Sequence, residues 1–288
     1  MLERILAMPG ADSDEGAPKR AETFRRLLLM HLAAVALVWC VKDAWLEVGL
    51  APRAVIAAGM TACFVVAMVS TRRAWLATLV AAALVLAQVV LRFPLTSNHG
   101  MLGLVCVCLL VVSVEDEADV GGARLALGAL RWTFIIVCVW AGLQKVLHGT
   151  YLEGEFLAHQ IATQERFRVV FGFLLGAEEL DRITGLTGLG AQGRFALRGW
   201  GLALSNSVWA LEMGLPLLLF FERTRKLGVL MLGGMLVAIE LGAREFLFGG
   251  LFAILAANLW PGRLSRKVCT CFGIYYTLVV AALLWEGL

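Results

Sequence analysis

Lys145 stands at the end of an apolar run, where an amine is able to do acid–base chemistry. The run begins at Leu125, and no Asp or Glu follows Lys145 in the chain until Glu153. An amine among apolar groups loses hydration of its charged form, so it becomes a free base for a weak acid. The alternative is snorkelling, in which the methylenes lie along lipid and the ammonium reaches the interface. The sequence leaves both interpretations open.

Other polar residues stand at the ends of apolar runs and have similar potential. His99 is able to orient a weak acid or to share its proton, and Asn98 directly precedes it. The alternative for His99 is a hydrogen-bonding residue at the membrane interface. Glu240 precedes Arg244 by one helical turn, and we interpret the two as lining a cavity.

Arg131 and Glu212 are ionisable residues within the apolar runs. A charge at the centre of a membrane helix costs about 2.5–3.5 kcal/mol, so it turns towards a partner inside the bundle. We predict that Arg131 and Glu212 pair with each other. A structural bridge is the favoured role of this pair, and a proton relay is the alternative.

The elements that carry these residues are apolar helices. Of 288 residues, 60% are hydrophobic and 16% are charged, whereas soluble domains carry about 25% charged residues. The runs lack the alternation of a membrane β-strand, so the spans are helical. We predict an all-α polytopic membrane helix bundle with about nine transmembrane spans, centred on residues 27–41, 54–69, 74–91, 101–114, 125–143, 200–221, 227–241, 246–260 and 268–285.

Basic residues predict the orientation of these spans, because Lys and Arg accumulate in short cytoplasmic loops. With the N-terminus inside, most basic residues of the short loops face the cytoplasm. The formal net charge of +3 fits loops that face anionic lipid, and no nucleic-acid partner is expected. The chain is therefore expected to be a multi-pass protein of the cell (inner) membrane.

Two segments are predicted to lie outside the spans. Residues 1–24 are polar with Pro and Gly and read as a disordered cytoplasmic tail, followed by a transmembrane helical domain over residues 25–288. Residues 144–199 form the largest loop, on the outer side, and contain two stretches with helical spacing of apolar side chains. These amphipathic helices are expected to lie on the outer surface or to cap a cavity.

The seven cysteines do not point to a metal site or a disulfide framework. Most lie within apolar runs, and none belongs to a C-x-x-C pair. We interpret them as small buried residues, and no metal is expected.

Several motifs resemble the vitamin K-dependent gamma-carboxylase family and the related bacterial horizontally transferred transmembrane domain (HTTM) proteins. The stretch LRWTFIIVCVWAGLQKVLHGTYLEGEFL resembles the family helix in which Gly-x-x-Lys precedes an aromatic residue and Glu-Gly. These positions are Gly142, Lys145, Tyr151, Glu153 and Gly154. Further similar segments follow the family order: LTSNHGMLG, LGAEEL, MGLPLLLFFERTRKLGV and REFLFGGLFAILAANLWPGR. The similarity covers about residues 90 to 263.

The resemblance implies a quinol-dependent membrane enzyme. In the carboxylases the matching Lys deprotonates vitamin K hydroquinone, whose reaction with oxygen makes a stronger base. That base takes a proton from a peptide glutamate, and carbon dioxide then adds. On this basis the candidate catalytic residues are Lys145, His99 and Asn98. The candidate residues for binding a reduced quinone of the vitamin K hydroquinone type are Glu240, Arg244, Gly142 and Tyr151.

The sequence departs from the family at some positions, so three functions remain open. Thr96 and Ser97 replace Trp-Asn before the Asn-His pair, and Glu240 replaces a His. The first function is a carboxylase-like lyase that modifies a peptide or protein at the outer face. The second is a non-catalytic helper in peptide maturation or export. The third is a scaffold subunit of a larger complex within membrane lipid.

The predicted topology is testable by cysteine accessibility in intact cells. In a background without the native cysteines, we expect cysteines placed at Thr150 and at Arg244 to react with an impermeant thiol reagent. A cysteine at Arg72 is expected to react only after the membrane is opened. Labelling of the Arg72 variant in sealed cells would overturn the topology.

Overall fold

The computed structural model describes residues 16–42, 48–94, 97–113, 119–149, 151–186, 196–260 and 266–285. The first helices are α1 (Ala17–Lys42), α2 (Leu50–Val69), α3 (Thr71–Arg92), α4 (Asn98–Ser113) and α5 (Val120–His148). Short helices follow: α6 (Glu155–Thr163), α7 (Glu165–Phe171), a 3₁₀-helix (Gly172–Leu174) and α8 (Ala177–Leu186). The last are α9 (Gly199–Phe220), α10 (Glu222–Ala243), α11 (Phe246–Leu259) and α12 (Arg266–Trp285). The all-α prediction is confirmed.

Each of the apolar runs in the sequence corresponds to one of the helices α1–α5 and α9–α12. Among the described residues, six helices are long and apolar enough to cross a membrane: α1, α2, α3, α5, α9 and most of α12. Helices α4 and α11 are apolar but shorter. These helices indicate a multi-pass helical membrane protein, while the nine crossings and the inside N-terminus stay predictions.

Two pairs of helices are joined by a single residue. Ser70 alone separates α2 from α3, and its extended backbone (φ −143°, ψ 106°) ends one helix and begins the next. Phe221 (φ −83°, ψ 130°) does the same between α9 and α10. In both places one non-helical residue reverses the chain.

The chain divides into two compact units, Met1–Trp132 with Phe246–Leu288 and Thr133–Glu245. The first unit contains α1 to α4, the beginning of α5, α11 and α12. Helix α1 lies at its centre, since 67% of its most apolar window is buried, against 11% for α12. The second unit contains the rest of α5 and the helices α6 to α10.

Helix α1 begins earlier than the sequence predicted. Its first turns belong to a buried apolar cluster made of Ala17, Ala21, Ala123 and Leu127. The prediction of a disordered tail over residues 1–24 is therefore wrong for residues 17–24, because small apolar side chains give this stretch a packing partner. Residues 1–15 lie outside the described residues.

The ends of three helices in the first unit meet. Near the start of α1, Arg20 Nη2 donates to the carbonyl of Trp260, just past the end of α11, at 2.9 Å. In the last turn of α11, Asn258 Nδ2 donates to the carbonyl of Leu127, near the start of α5, at 3.2 Å. The starts of α1 and α5 thus lie beside the end of α11, as an alternating topology of these three spans requires.

The predicted outer loop, residues 144–199, is shorter than expected because α5 continues to His148. The prediction of helices within it is confirmed by α6, α7 and α8. Their apolar side chains form a buried cluster in the second unit, made of Leu157, Ala158, Ile161, Phe167, Leu175, Ile183 and Leu197. We call the segment from Tyr151 to Arg198, without its undescribed residues 187–195, the outer segment, after the side of the membrane on which it is predicted to lie. Its apolar residues pack on one another and give the segment a core of its own.

Asn258 is expected to be a determinant of stability in the first unit. It is fully buried, and its backbone carbonyl also accepts a hydrogen bond from Arg131 Nε at 3.1 Å. Changing Asn258→Ala leaves the Leu127 carbonyl without its amide donor, which we expect to cost about 1–3 kcal/mol. The measurement is the apparent melting temperature of purified protein in detergent. Exposed Gln144→Ala on α5 is the control, and equal melting temperatures for the two variants would contradict this role.

Candidate functional site

The second unit brings Lys145 beside α9. Gly142 and Lys145 are three residues apart on α5 and so share one face of the helix. A Cβ at Gly142 would lie 2.9 Å from the sulfur of Met213 and 3.2 Å from its backbone nitrogen. Helix α5 therefore approaches α9 closely only because position 142 has no side chain. This approach carries Lys145 to the buried side of α9.

The amine of Lys145 forms an ion pair with Glu212 of α9. Its Nζ donates to both carboxylate oxygens, Oε1 and Oε2. The side chain of Lys145 is 19% exposed and that of Glu212 is 9% exposed. Because so little of either side chain is exposed, neither charge is well solvated. The direct contact between the two charges has to compensate for the lost hydration. The structure thus favours a fixed polar contact over snorkelling of Lys145 into lipid headgroups.

Tyr151 covers the same amine from the outer segment. The Nζ of Lys145 lies 4.9 Å from the centre of the Tyr151 ring, which is the geometry of a cation–π contact. The Tyr151 ring also stacks on Phe156, with 4.9 Å between the ring centres and an interplanar angle of 19°. The site therefore combines an amine, a carboxylate and an aromatic face.

The turn that carries Tyr151 is fixed to α9 by hydrogen bonds from side chains of α9 to backbone carbonyls of the turn. Ser205 Oγ donates to the carbonyl of Tyr151 at 3.0 Å, and Asn206 Nδ2 donates to that of Leu152 at 3.3 Å. Gly154 has a left-handed backbone with φ of 72°, and a Cβ there would lie 2.8 Å from Leu197 Cβ. Only glycine satisfies both conditions. The aromatic face is thus positioned by a rigid turn.

Electrostatics in the outer segment keep the Tyr151 phenol protonated. Burial raises the pKa of Tyr151, and the negative charges of Glu212 and Glu245 raise it further. A protonated phenol is available as a hydrogen-bond donor. Elsewhere in the segment, a hydrogen bond from Arg182 lowers the pKa of Glu179. Glu179 Oε1 also accepts from the backbone nitrogen of Arg198, just before α9 begins, at 3.0 Å.

The remaining predicted site residues lie at the ends of α4 and α10. Glu240 lies in the last turn of α10, where its carbonyl accepts from the backbone nitrogen of Arg244 at 3.1 Å. Arg244 caps the helix with a left-handed backbone, φ 54°. Asn98 and His99 begin α4 in the first unit, and His99 Nε2 lies 3.0 Å from Ser97 Oγ. Lys145, Gly142 and Tyr151 are brought together, whereas the convergence of the others on Lys145 stays a prediction.

Arg131 and Glu212 each have another partner, in place of the predicted pairing with each other. Arg131 donates to the carbonyl of Asn258 in the first unit, and Glu212 binds Lys145 in the second. The prediction rested on opposite charge and similar depth, which do not specify which faces of two helices meet. The partner of each residue is set by helix packing.

Glu212 is the residue of this candidate site whose partner the sequence did not reveal. A signal was present in α9, since Gly201, Ser205, Glu212, Leu215, Pro216 and Leu219 are buried along it. Gly201 and Ser205 are four positions apart, and Ser205 and Glu212 are seven positions apart. These small or polar residues therefore share one helix face. A polar face of this kind on an apolar helix indicates a contact inside the bundle.

The comparisons with known proteins leave the family open. No protein-family model matches the chain, and no curated protein or solved structure matches it. Within the described part of the chain, no group of three or more His, Cys, Asp or Glu side chains is placed to hold a metal ion. The resemblance to the carboxylase and HTTM proteins stays a prediction that rests on its motifs.

A double-mutant cycle tests whether Lys145 and Glu212 act as a pair. Lys145→Met and Glu212→Leu each leave a buried charge without its partner, so each is expected to cost about 3 kcal/mol. The double variant removes both charges, and we expect a coupling of at least about 1 kcal/mol in apparent stability. The more exposed pair Glu179 and Arg182 is the control, with coupling below about 1 kcal/mol. Additive effects at Lys145 and Glu212 would show that the two charges do not interact.

Proposed function

We propose that the chain is a membrane-embedded enzyme that binds a weakly acidic, quinol-like molecule beside Lys145. The observation that carries the proposal is the contact of the Lys145 amine with Glu212 below the ring of Tyr151. A reduced quinone is an aromatic molecule with hydroxyl groups. The aromatic face of Tyr151 with an adjacent proton acceptor fits such a molecule better than it fits a sugar or a phosphate.

The ion pair gives Lys145 a route to a free amine. Moving one proton from Nζ to Glu212 converts the ammonium and carboxylate into a neutral amine and a neutral acid. In this neutral arrangement neither group carries a charge that needs hydration. Lys145 Nζ then carries a lone pair that is able to accept a proton from a ligand hydroxyl. Glu212 holds the first proton while Lys145 takes the second.

A bound reduced quinone would supply an ionisable hydroxyl group and a pair of electrons. The chain's own part is to orient that hydroxyl towards Lys145 Nζ, with the Tyr151 phenol as a donor nearby. The predicted peptide or protein substrate would enter from the outer face, on the side of the outer segment. Glu240 and Arg244, which belong to the same unit as Lys145, are proposed to bind the ligand as well, in line with the motif resemblance. Asn98 and His99 stay proposed catalytic residues on the strength of that resemblance.

A non-catalytic helper or scaffold is the second candidate function, and one feature favours it. The outer segment has its own core, yet it leaves Val169 and Phe173 exposed at 72% and 78%. Large exposed apolar side chains on a packed segment are typical of surfaces that bind another molecule. In this function the Lys145–Glu212 pair serves only to join α5 to α9. The inner membrane remains the proposed location for both functions.

The variant Lys145→Arg separates a base from a structural cation. Arg keeps the charge and is able to pair with Glu212, but it does not give up its proton. We expect the variant to fold and to lose the oxygen-dependent consumption of reduced quinone, by about 100-fold or more. The measurement is quinol oxidation by purified protein in nanodiscs with added peptide and bicarbonate.

Lys226→Arg on α10, where the side chain is exposed, is the matched control and should keep the wild-type rate. Equal rates for Lys145→Arg and the wild type would exclude Lys145 as the base. If the wild type consumes none of the quinols offered, the helper or scaffold function is favoured.

A further inference from the structure

The first unit contains a cavity whose lining shares only His99 with the predicted site residues. It lies where the end of α3 and the start of α4 meet the middle of α1. Its lining consists of His31, Leu32, Val35, Val85, Gln88, Val89, Arg92, Ser97, His99 and Gly100.

The lining is polar on one side and aliphatic on the other. Four aliphatic side chains, which we call the aliphatic wall, are Leu32, Val35, Val85 and Val89. The polar side consists of a guanidinium, an amide, a hydroxyl and two imidazoles, and among the described residues that line the cavity none is Asp or Glu. Cationic and neutral donors of this kind select ligands with acceptor oxygens, and anionic ones most strongly.

Gln88 is the residue that most directly indicates a ligand. Its side chain is 6% exposed, so it is shielded from water on most sides. Among the described residues, its Nε2 is a buried donor with no hydrogen-bond partner. A buried amide without a partner is costly in a folded protein, and such groups mark places where a ligand or water completes the structure. Gln88 is one of the residues that line the cavity.

Neighbouring groups add donors around Gln88. Arg92 is one helical turn further along α3, and it also lines the cavity. His31 Nδ1 lies 2.9 Å from the hydroxyl of Tyr276. When the phenol donates to Nδ1, the ring proton of His31 is on Nε2, which becomes a further donor. Ser97 and His99 lie at the start of α4, where the helix end carries partial positive charge.

We propose that this cavity binds the carboxylate group of an amphiphilic molecule. Arg92 and Gln88 donate to the two carboxylate oxygens, and the apolar chain of the ligand lies against the aliphatic wall. A guanidinium and an adjacent amide match the two oxygens of a carboxylate, and an aliphatic wall matches an acyl chain. The site shares His99 with the predicted catalytic residues but requires neither Lys145 nor a quinone.

The test is binding of decanoate, labelled with ¹³C at the carboxyl carbon, to the full chain in nanodiscs. The shift of the labelled carbon is followed by NMR as protein is added. We expect saturable binding by the wild type. Gln88→Leu and Arg92→Gln each remove one donor and are expected to weaken binding about ten- to hundred-fold. Arg73→Gln, an exposed residue near the other end of α3, is the matched control and should bind as the wild type does.

Two further probes define the ligand. Decanol, which has the chain without the charge, is expected to bind at least about ten-fold more weakly than decanoate. Acetate, which has the charge without the chain, is also expected to bind more weakly. Acetate binding as tightly as decanoate would overturn the amphiphile and assign the site to a water-soluble acid.

The proposal fails if decanoate binds equally to the wild type, Gln88→Leu and Arg92→Gln, or if decanol binds as tightly as decanoate. It also fails if the wild type shows no saturable binding, which would leave water as the occupant. Binding is also measured with Lys145→Arg, where we expect no change. The carboxylate site and the quinol site are thereby tested independently.

Discussion

Polar groups on apolar helices must find their partners within the protein, because lipid offers none. Asn258 shows the constraint most clearly: its backbone carbonyl accepts from Arg131 and its side-chain amide donates to the Leu127 carbonyl, so one buried residue joins α11 to α5. The pair of Lys145 and Glu212 joins α5 to α9 in the same way. The polar contacts therefore specify which helices are neighbours, whereas apolar side chains alone would pack acceptably in many arrangements.

The helices were predictable from sequence, but their ends were less so. Apolar runs mark the part of a helix that faces lipid or the core, so residues 27–41 and 125–143 located α1 and α5. The helices extend beyond these runs to Ala17 and His148, because a helix continues as long as its backbone is hydrogen-bonded and its side chains have a place to pack. Ala17 lies in a buried cluster although its sequence neighbours are polar.

The candidate site was predictable only in part, for a related reason. Lys145, Gly142 and Tyr151 are close in the chain, and the structure brings them together. Glu212 is 67 residues away from Lys145, and its pairing depends on the rotation of α9, which composition does not encode. Gln88 drew no attention in the sequence, because a single amide in an apolar run becomes informative only when its partner is found to be absent among the described residues.

The single-residue turns at Ser70 and Phe221 have a consequence for how the protein enters the membrane during synthesis. One residue spans less than about 4 Å, far short of a bilayer core of about 30 Å, so two helices joined in this way have opposite directions. At Phe221 the consequence is a reversal between α9 and α10. We expect α2 and α3, which are both long and apolar enough to cross a membrane, to enter it as one hairpin. Neither of these two helices is then able to invert alone, and the basic residues that follow their turn orient both at once.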